Sequence, residues 1–535
     1  MDFKRNFIIF VFLILSFFLF KVWKRENILS QNSTMHTHVS QKKFFKNYSN
    51  STKKMINLST DVLSLNVNLF GGDIEGADLL KYKKNLKEIK PFTLLKCTKN
   101  FFYKIVSGLS GKEGIDFLKL KKRPMYQTTS GLFRLKKNEN ILKVPLFWKL
   151  KSGIIYVKTF ILKKGCYDFD IEYTIYNPLN KKLNVTLFSE IQQTSIFPKF
   201  FKNTWKDFFS LKTYKGAAYS CDKKNYTKYS FDEIKKNRKF FFSTKSGWIS
   251  MLQQYFSVAS ILKHSKKNFI YSYFLKNNTS VLGTISKNKI VLPHSIQKFS
   301  SKIWIGPSIY KYLSNVAKHL NLIIDYGWFW FLSQFFLKIL LFFYSFINSW
   351  GITIILITVC LRSIMFPLIK WQYSSVNKMK KIQPKISQIK KNFFNDSLKM
   401  NQEILKLYQK EEINPFSSFI PILIQMPIFL ALYHVLIEAI ELRHASFLFW
   451  IQDLSAQDPY YILPILMGIS MIVMNFNIPK METDDLSQKM IYFVPLIFTI
   501  FFSCFPSGLV LYYLVSNVVT IIQQKMIYFL LKKNT

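Results

Sequence analysis

Long apolar runs recur along the last third of the chain and restrict how it can fold. Five of them occupy about residues 351–369, 417–437, 459–476, 491–505 and 508–530. Runs of roughly 17–25 apolar residues are typical of membrane-spanning helices, because a helix satisfies its backbone polar groups internally. The fourth run is short, and Pro506-Ser507-Gly508 predicts a tight turn after it. A sixth run near the N-terminus completes the prediction of a polytopic α-helical membrane protein with six transmembrane helices.

The N-terminal run, residues 7–20, follows Lys4 and Arg5. A signal peptide would share this charged start, but no small-residue cleavage site follows the run. We therefore predict an uncleaved transmembrane anchor over 1–25. Residues 26–58 are rich in Ser, Asn, Thr and Lys, which is typical of a polar linker.

Residues 59–327 have the texture of a β-sheet domain. In the segment 167–177, YDFDIEYTIYN, apolar and acidic residues alternate with a period of two, and Asn177-Pro178 then turns the chain. The period of two resumes at Leu183, Val185 and Leu187. Many such strands without long intervening helices predict an antiparallel sandwich.

Two further segments predict helices outside the spans. Over 328–348 the polar residues Gln334, Lys338, Ser345 and Asn348 share one stripe at helical spacing, which favours an amphipathic helix lying in the membrane interface. Over 370–415 Met379, Ile382, Ile386 and Ile389 recur at helical spacing, and Asn395-Asp396 can cap a second helix that runs to Glu412. This second pattern predicts a helical hairpin.

The net charge of +45 could indicate nucleic-acid binding, but the 75 cationic residues comprise 68 Lys and only 7 Arg. Base readout depends on bidentate Arg contacts, so no specific nucleic-acid binding is expected. Of these cations 52 are scattered over 26–327 with 18 acidic residues, which indicates a solvated surface and the codon bias of an AT-rich genome. The five cysteines lack the spacing of a metal or redox site, so we expect no metal and no cofactor.

The charges of the short loops predict the topology. The hairpin carries ten Lys, and the loop 477–490 and the C-terminal region add five more cations. The loops on the other side carry only Arg443. Because cytoplasmic loops are enriched in Lys and Arg, the hairpin and both termini, including the short tail 531–535, are predicted to be cytoplasmic and 26–348 periplasmic.

Arg362 is the most unusual residue of the apolar runs. It lies eight residues before Lys370, hence ~12 Å of helix from the cytoplasmic end. A cation at this depth costs roughly 2.5–3.5 kcal/mol on insertion scales, and none of the five runs contains Asp or Glu to pair with it. One alternative is snorkelling to the headgroups, although the reach is long for one side chain. The other is a wet cavity that accepts a transient anionic guest, such as a carboxylate on a passing polypeptide.

Two sets of side chains could complete such a cavity. Polar side chains that could neighbour Arg362 are Thr358, one turn earlier, and, in other runs, Gln425, Ser503, Tyr512, Tyr513, Ser516 and Asn517. Soft apolar side chains in neighbouring runs are Met426, Phe429, Met467, Met471 and Phe501. Ordinary core packing explains any one of the second set, whereas together they could form a surface that accepts varied helices.

Several motifs occur together over nearly the whole chain. They include NLFGGDIEGADLL (68–80), KGAAYS (215–220), WIGPSIYKYL (304–313), DYGWFWFLSQ (325–334), CLRSIMFPLIKWQY (360–373), INPFSSFIPILIQMPIFLALY (413–433) and FPSGLVLYYLVSN (505–517). In this combination the chain resembles the YidC family of membrane protein insertases, in the long form of Gram-negative bacteria.

The resemblance implies a periplasmic β-supersandwich over 59–327, an interfacial helix over 328–348 and a five-helix insertase core over 349–530. That core would enclose a hydrophilic groove open to cytoplasm and lipid. The groove arginine, threonine and tyrosine of the family fall on Arg362, Thr358 and Tyr513. Phe429, Met467 and Phe501 match the hydrophobic slide proposed for the incoming segment.

The implied function is non-enzymatic insertion, folding and assembly of nascent membrane proteins in the bacterial inner membrane, alone or with the Sec translocon. The hairpin would receive substrates from the ribosome and the signal recognition machinery, and membrane lipid would receive the inserted segment. The alternative is a channel or anion transporter that binds its ligand at Arg362. It predicts internal repeats, and the two halves of the chain show none.

Overall fold

The computed structural model describes the chain from residue 55 to residue 533 with gaps. The described ranges are 55–86, 88–116, 123–195, 214–236, 239–265, 267–275, 278–327, 329–393, 396–411, 420–476 and 485–533. The predicted anchor 1–25, most of the predicted linker, part of the loop 477–490 and the end of the tail lie outside the described residues.

Strands make up most of the described chain before residue 308. They are β1 (Met55–Ser59), β2 (Leu63–Asn68), β3 (Asp73–Lys83), β4 (Pro91–Cys97), β5 (Phe102–Ser110), β6 (Leu132–Arg134), β7 (Ile141–Lys149), β8 (Ile155–Lys163), β9 (Asp168–Asn177), β10 (Leu183–Thr194), β11 (Gly216–Cys221), β12 (Lys224–Tyr229), β13 (Lys239–Thr244), β14 (Gly247–Leu252), β15 (Phe256–Leu262), β16 (Asn268–Leu275), β17 (Thr279–Ile285), β18 (Lys289–Val291) and β19 (Ser295–Pro307). Two short helices, α1 (Phe231–Lys236) and α2 (Tyr310–Val316), accompany them.

The strands form two sheets that pack face to face. An 11-stranded sheet has the order β13-β16-β17-β10-β5-β4-β3-β2-β1-β6, with β18 paired to β10. An 8-stranded sheet has the order β12-β11-β14-β15-β19-β9-β8-β7. The described pairings are antiparallel except that of β1 with β6. The predicted sandwich is therefore confirmed.

Strand β9 illustrates why the alternating segments fold this way. Phe169, Ile171, Tyr173 and Ile175 are at most 2% exposed. On the opposite face Asp168 and Glu172 pair with Lys302 and Lys298 of the adjacent strand β19. Because side chains alternate across a strand, the period of two sorts apolar residues inward and charges outward.

The sheet domain begins four residues earlier than predicted, at Met55. Ile56 and Leu58 of β1 are 3% and 0% exposed, and β1 pairs with β2 along its full length. The alternation of apolar and polar residues in MINLS is short, and the polar residues around it make the strand hard to recognise from the sequence. Its burial makes these residues part of the sandwich rather than of the linker.

A buried lysine joins the two sheets. Lys158 of β8 is fully buried, and its Nζ donates to the carbonyl oxygens of Gly72 at 2.7 Å and Ser107 at 3.1 Å. The backbone at Gly72 has φ +64°, and a Cβ there would lie 2.8 Å from the Lys158 Cδ. Glycine is therefore required at this turn for both conformation and space.

Arg123 supports the same region with a pair of buried ionic contacts. Its Nε donates to Asp116 at 2.8 Å, its Nη1 contacts Asp73, and its Nη2 donates to the Ser107 carbonyl oxygen at 2.9 Å. These side chains are at most 9% exposed. Buried charges persist only when they are paired and hydrogen bonded, and this cluster meets that condition.

We expect the sandwich to become more stable as the pH rises from 7 to 9. Desolvation lowers the pKa of Lys158 from 10.5 to about 7, against the opposing attraction of Asp73. Between these values Lys158 binds more protons in the unfolded chain than in the folded one, so this group contributes a rise of about 2 kcal/mol to the free energy of unfolding from pH 7 to pH 9. Urea unfolding of the full chain in detergent, followed by tryptophan fluorescence, measures this change.

Lys158→Met supplies the control for this pH dependence. Between pH 7 and pH 9 its unfolding free energy should rise by about 2 kcal/mol less than that of the native protein, since the titrating amine is gone. A rise of equal size in both proteins would contradict the assignment to Lys158.

Helices form the remainder of the described chain. They are α3 (Trp330–Ile347), α4 (Trp350–Ile364), α5 (Phe366–Asn392), α6 (Ser397–Lys410), α7 (Ile420–Glu438), α8 (Ile462–Phe476), α9 (Asp485–Phe502) and α10 (Ser507–Lys533). The chain turns between α9 and α10 at residues 503–506, slightly before the predicted Pro506-Ser507-Gly508, because Ser507 and Gly508 already belong to the first turn of α10.

Helices α5 and α6 form the predicted hairpin. Ile382 and Ile386 of α5 are buried and pack against Ile404 and Leu407 of α6. The Asp396 side chain accepts a hydrogen bond from the Lys399 backbone amide at 3.1 Å and so caps α6, as predicted.

The number of membrane spans is not confirmed by the described helices. By length and apolar composition α3 alone could cross a membrane, and α4 with the first half of α5 could do so as a pair bent by 53°. The described apolar stretches Leu423–Glu438, Ile462–Met474 and Phe493–Phe502 are shorter. The predicted run 351–369 is thus divided at Met365, because Pro367 lacks the amide hydrogen that would continue the helix.

Helix α3 presents a mixed surface rather than a polar one. Ser333, Phe336, Leu337 and Leu340 are buried. Lys338 and Ser345 of the predicted polar stripe are exposed. The exposed side also carries four phenylalanines, Phe331, Phe335, Phe342 and Phe346. The helix itself is confirmed, and its interfacial position stays a prediction.

Arg443 joins the sandwich to the loop between α7 and α8. Its Nη2 donates to the backbone oxygens of Lys83 at 2.9 Å and Lys84 at 3.0 Å. The guanidinium lies 5.3 Å from the ring centroid of Phe92 and 5.7 Å from that of Phe256. Cation–π contacts and carbonyl hydrogen bonds therefore fix this loop against the sheets.

Candidate functional site

Helix α10 carries a polar stripe through the centre of the helical region. Ser516, Asn517, Thr520, Gln523 and Gln524 are each at most 9% exposed. The pairs 516/517 and 523/524 and the single residue 520 follow one another at three- to four-residue intervals, which places them on one side of the helix. The helix packs against α4, α5, α7 and α8. Polar groups of four neighbouring helices can therefore meet on α10.

Arg362 is bound to this stripe. It lies in the last turn of α4 and is half-buried. Its Nε donates to the Ser516 hydroxyl at 2.7 Å, and its Nη2 contacts the same oxygen. Among the residues that the structure describes, no carboxylate lies within 4.0 Å of the guanidinium. The cation is thus held by a neutral partner.

The end of α4 is held by α10 as well. The Gln523 Nε2 donates to the backbone oxygen of Arg362 at 2.9 Å, and Gln524 contacts the Tyr373 hydroxyl on α5. The last carbonyls of a helix lack intrahelical partners. Gln523 donates a hydrogen bond to one of these carbonyls, that of Arg362, just before α4 ends and α5 begins.

The residues predicted to line a groove divide into two kinds. Gln425 of α7 donates to the Tyr512 hydroxyl of α10 at 3.0 Å, and both Tyr512 and Tyr513 are electrostatic neighbours of Arg362. The structure therefore brings these four residues together. Thr358 is fully buried, and its hydroxyl donates to the Ile354 backbone oxygen of its own helix at 2.6 Å. Its hydroxyl is thus engaged within α4.

Three amide oxygens of the same region are buried without a donor in the described part of the chain: those of Gln425, Gln523 and Gln524. A buried unpaired acceptor costs about 1–3 kcal/mol. This arrangement is unfavourable for a closed apolar bundle and is consistent with a site that admits a polar guest.

The predicted slide residues are not equivalent. Met426 is 45% exposed, whereas Met467 is 0% and Met471 9% exposed. Phe429 packs against Tyr433, Phe502 and Tyr513, and Phe501 against Phe502 and Phe505; both are half-buried. Of these five described residues only Met426 has an exposed side chain, whereas Met467 and Met471 are core residues.

Sequence reasoning did not assign Gln523 or the specific role of Ser516. The sequence pattern that could have identified them is the recurrence of polar residues at 516, 520 and 523 within an apolar run. These positions cover two helical turns on one side of α10. Within the described ranges, no group of three or more His, Cys, Asp or Glu side chains could hold a metal ion.

Comparisons with known proteins agree with one another. Residues 342–534 match the family described as 60Kd inner membrane protein, and residues 55–339 match the YidC periplasmic domain. The chain is 47% identical over 540 residues to the membrane protein insertase YidC of Buchnera aphidicola subsp. Acyrthosiphon pisum (strain Tuc7), covering 100% of both chains. It is 44% identical over 528 residues to that of Buchnera aphidicola subsp. Baizongia pistaciae (strain Bp), covering 98% of each.

One solved structure among the similar ones is described as an active YidC insertase with the first transmembrane domain resolved. It is 18% identical, has a TM-score of 0.36 and covers 88% of this chain and 92% of its own.

Proposed function

Because this chain belongs to the YidC family of membrane protein insertases, we propose that it inserts nascent membrane proteins through a groove lined by Arg362, Gln425, Tyr512 and Tyr513. The family is non-enzymatic and resides in the inner membrane. The observation that carries the groove proposal is the half-buried Arg362, which is bound to a neutral hydroxyl and faces no carboxylate among the described residues.

The proposed cycle begins at the hairpin of α5 and α6, which takes the hydrophobic segment from the ribosome and the signal recognition machinery. Arg362 then attracts acidic groups in the tail that must cross the membrane. The polar stripe of α10 shortens the apolar barrier for that tail. The segment leaves into lipid beside the exposed Met426, with or without the Sec translocon.

The driving force needs no nucleotide. Burial of apolar side chains in lipid gains about 25 cal/mol per Å² removed from water. The membrane potential adds about 2.3 kcal/mol per elementary charge for each 100 mV when an acidic tail moves outward. The protein has only to lower the barrier for the polar tail, which is the role proposed for Arg362.

The proposed topology places the sandwich in the periplasm and both termini in the cytoplasm, with six spans in total. It rests on the loop charges and on the family. The relatives given above are named as insertases, so the channel or anion transporter alternative gains no support from them.

Photocrosslinking from Tyr513 tests the proposal. A photoreactive phenylalanine analogue at this position should crosslink to a stalled nascent chain with one hydrophobic segment, because Tyr513 lies one turn before Ser516, which accepts the hydrogen bond from Arg362. Tyr528 is the matched control, since it lies on the same helix and is 68% exposed. Adducts from Tyr528 without adducts from Tyr513 would place the substrate outside the groove and contradict the proposal.

A further inference from the structure

We infer that Ser516 is the resting partner of Arg362 and sets how strongly the groove attracts an acidic tail. The inference rests on the proposed function and names the substrate feature that the site selects, the carboxylates of the translocated tail. Ser516 is in this view a positioning residue, because it acts through the guanidinium rather than on the substrate.

The contact between Arg362 and Ser516 joins two donors to one acceptor. Ser516 is 2% exposed, and its single oxygen accepts from two nitrogens of Arg362, Nε and Nη2. A hydroxyl oxygen has two lone pairs, whereas a guanidinium has five N–H donors. The Ser516 oxygen is therefore saturated as an acceptor, and among the residues that the structure describes three guanidinium donors remain for a guest.

The neighbouring contacts fix Ser516 in place. The Thr520 hydroxyl donates to the Ser516 backbone oxygen at 2.7 Å, and Asn517 donates to the Ser470 hydroxyl of α8 at 3.0 Å. Gln523, two turns after Ser516, binds the backbone oxygen of Arg362 at 2.9 Å. Helix α10 thus holds Arg362 by its side chain and by its main chain, so the guanidinium has a defined starting position.

Ser516 and a carboxylate of the substrate would compete for Arg362, and the stronger acceptor would win. A carboxylate binds a guanidinium in bidentate fashion and about twice as strongly as a neutral acceptor does. An arriving Asp or Glu side chain can therefore take the free donors and then replace Ser516, and the hydroxyl recaptures Arg362 when the tail has passed. A permanent carboxylate on α10 would neutralise the cation and block this exchange.

Two Ser516 variants and two substrates test the exchange. The substrates share one hydrophobic segment and differ only in the tail, which carries Asp and Glu or the corresponding Asn and Gln. The measured quantity is the ratio of acidic-tail to neutral-tail insertion in cells depleted of the native protein. Ser516→Asp should lower this ratio about tenfold, which corresponds to one charge-assisted hydrogen bond, and Arg362→Ala should lower it by a similar factor.

Ser516→Ala should instead raise the ratio, because it removes the competitor and leaves the cation. Alanine is small enough for the buried site, so this variant decides the matter if Ser516→Asp fails to accumulate in the membrane. A wild-type ratio in both variants would overturn the inference. A fall of the ratio in Ser516→Ala would overturn it too, because the hydroxyl would then be required for attraction.

Ser345→Asp is the control for an added charge. Ser345 is exposed on α3, and its hydroxyl donates only to the Phe342 backbone oxygen of the same helix at 2.7 Å. This variant should keep the wild-type ratio. A fall equal to that of Ser516→Asp would mean that any added charge lowers the ratio, and it would overturn the inference.

Arg362→Ala distinguishes a failure of the proposed function from a failure of the present inference. If it leaves the ratio unchanged, the proposed electrostatic role of Arg362 itself fails. If it lowers the ratio while both Ser516 variants leave it unchanged, only the present inference fails.

Discussion

Arg362→Glu is expected to lower the insertion of segments with acidic translocated tails by about 10- to 100-fold. A 10- to 100-fold loss corresponds to about 1.4–2.8 kcal/mol. This is part of the roughly 4 kcal/mol by which two charges about 4 Å apart interact at the effective dielectric constant of a protein surface, and the substitution turns that attraction into repulsion. Arg362→Lys should be milder, since it keeps the charge but has three donors and no planar fork. Insertion of a small single-span substrate after depletion of the native protein measures the effect.

A neutral-tail version of the same substrate should respond less to Arg362→Glu. Arg134→Glu is the matched control, because Arg134 lies exposed on strand β6 of the sandwich. Unchanged insertion of the acidic-tail substrate by the Arg362→Glu variant would remove the electrostatic part of the proposed mechanism.

Arg123→Met is expected to destabilise the sandwich by about 3–5 kcal/mol. The substitution leaves Asp73 and Asp116 buried without their cation, and removing one partner of a buried ion pair costs this much. It also removes the donor to the Ser107 carbonyl oxygen. Urea unfolding of the full chain, with tryptophan fluorescence as the signal, measures the loss.

Adding Asp73→Asn to Arg123→Met should recover part of that stability, because one uncompensated charge disappears. Arg134→Met, on the exposed edge, should change the free energy of unfolding by less than about 0.5 kcal/mol. Equal effects of Arg123→Met and Arg134→Met would contradict the role given to the buried cluster.

The sandwich and the hairpin could be predicted from sequence because periodicity records which side of an element is buried. The alternation in β9 and the spacing of Ile382 and Ile386 each point to one face. The buried Lys158 and Arg123 could not be predicted in the same way. A lone Lys or Arg has the same sequence pattern whether its side chain meets water or buried partners. The partners can also be far away in sequence: Asp73 is 50 residues from Arg123, and the Gly72 oxygen is 86 residues from Lys158.

The groove illustrates a second limit. The cost of an Arg in an apolar run made Arg362 conspicuous, but its partner Ser516 is 154 residues away. Helix packing also decides which methionines face outward, and an all-apolar run carries no periodicity that separates Met426 from Met467. The bend at Met365 was missed because hydropathy continues unbroken across it.

The seating of Arg443 has a consequence for anyone who studies the sandwich in isolation. A soluble fragment that ends before α3 would lack this guanidinium, so the oxygens of Lys83 and Lys84 would turn to solvent, and the stacked rings of Phe92 and Phe256, 4.3 Å apart, would lose their cover. If such a fragment self-associates, it would do so through a surface that the loop carrying Arg443 covers in the intact chain.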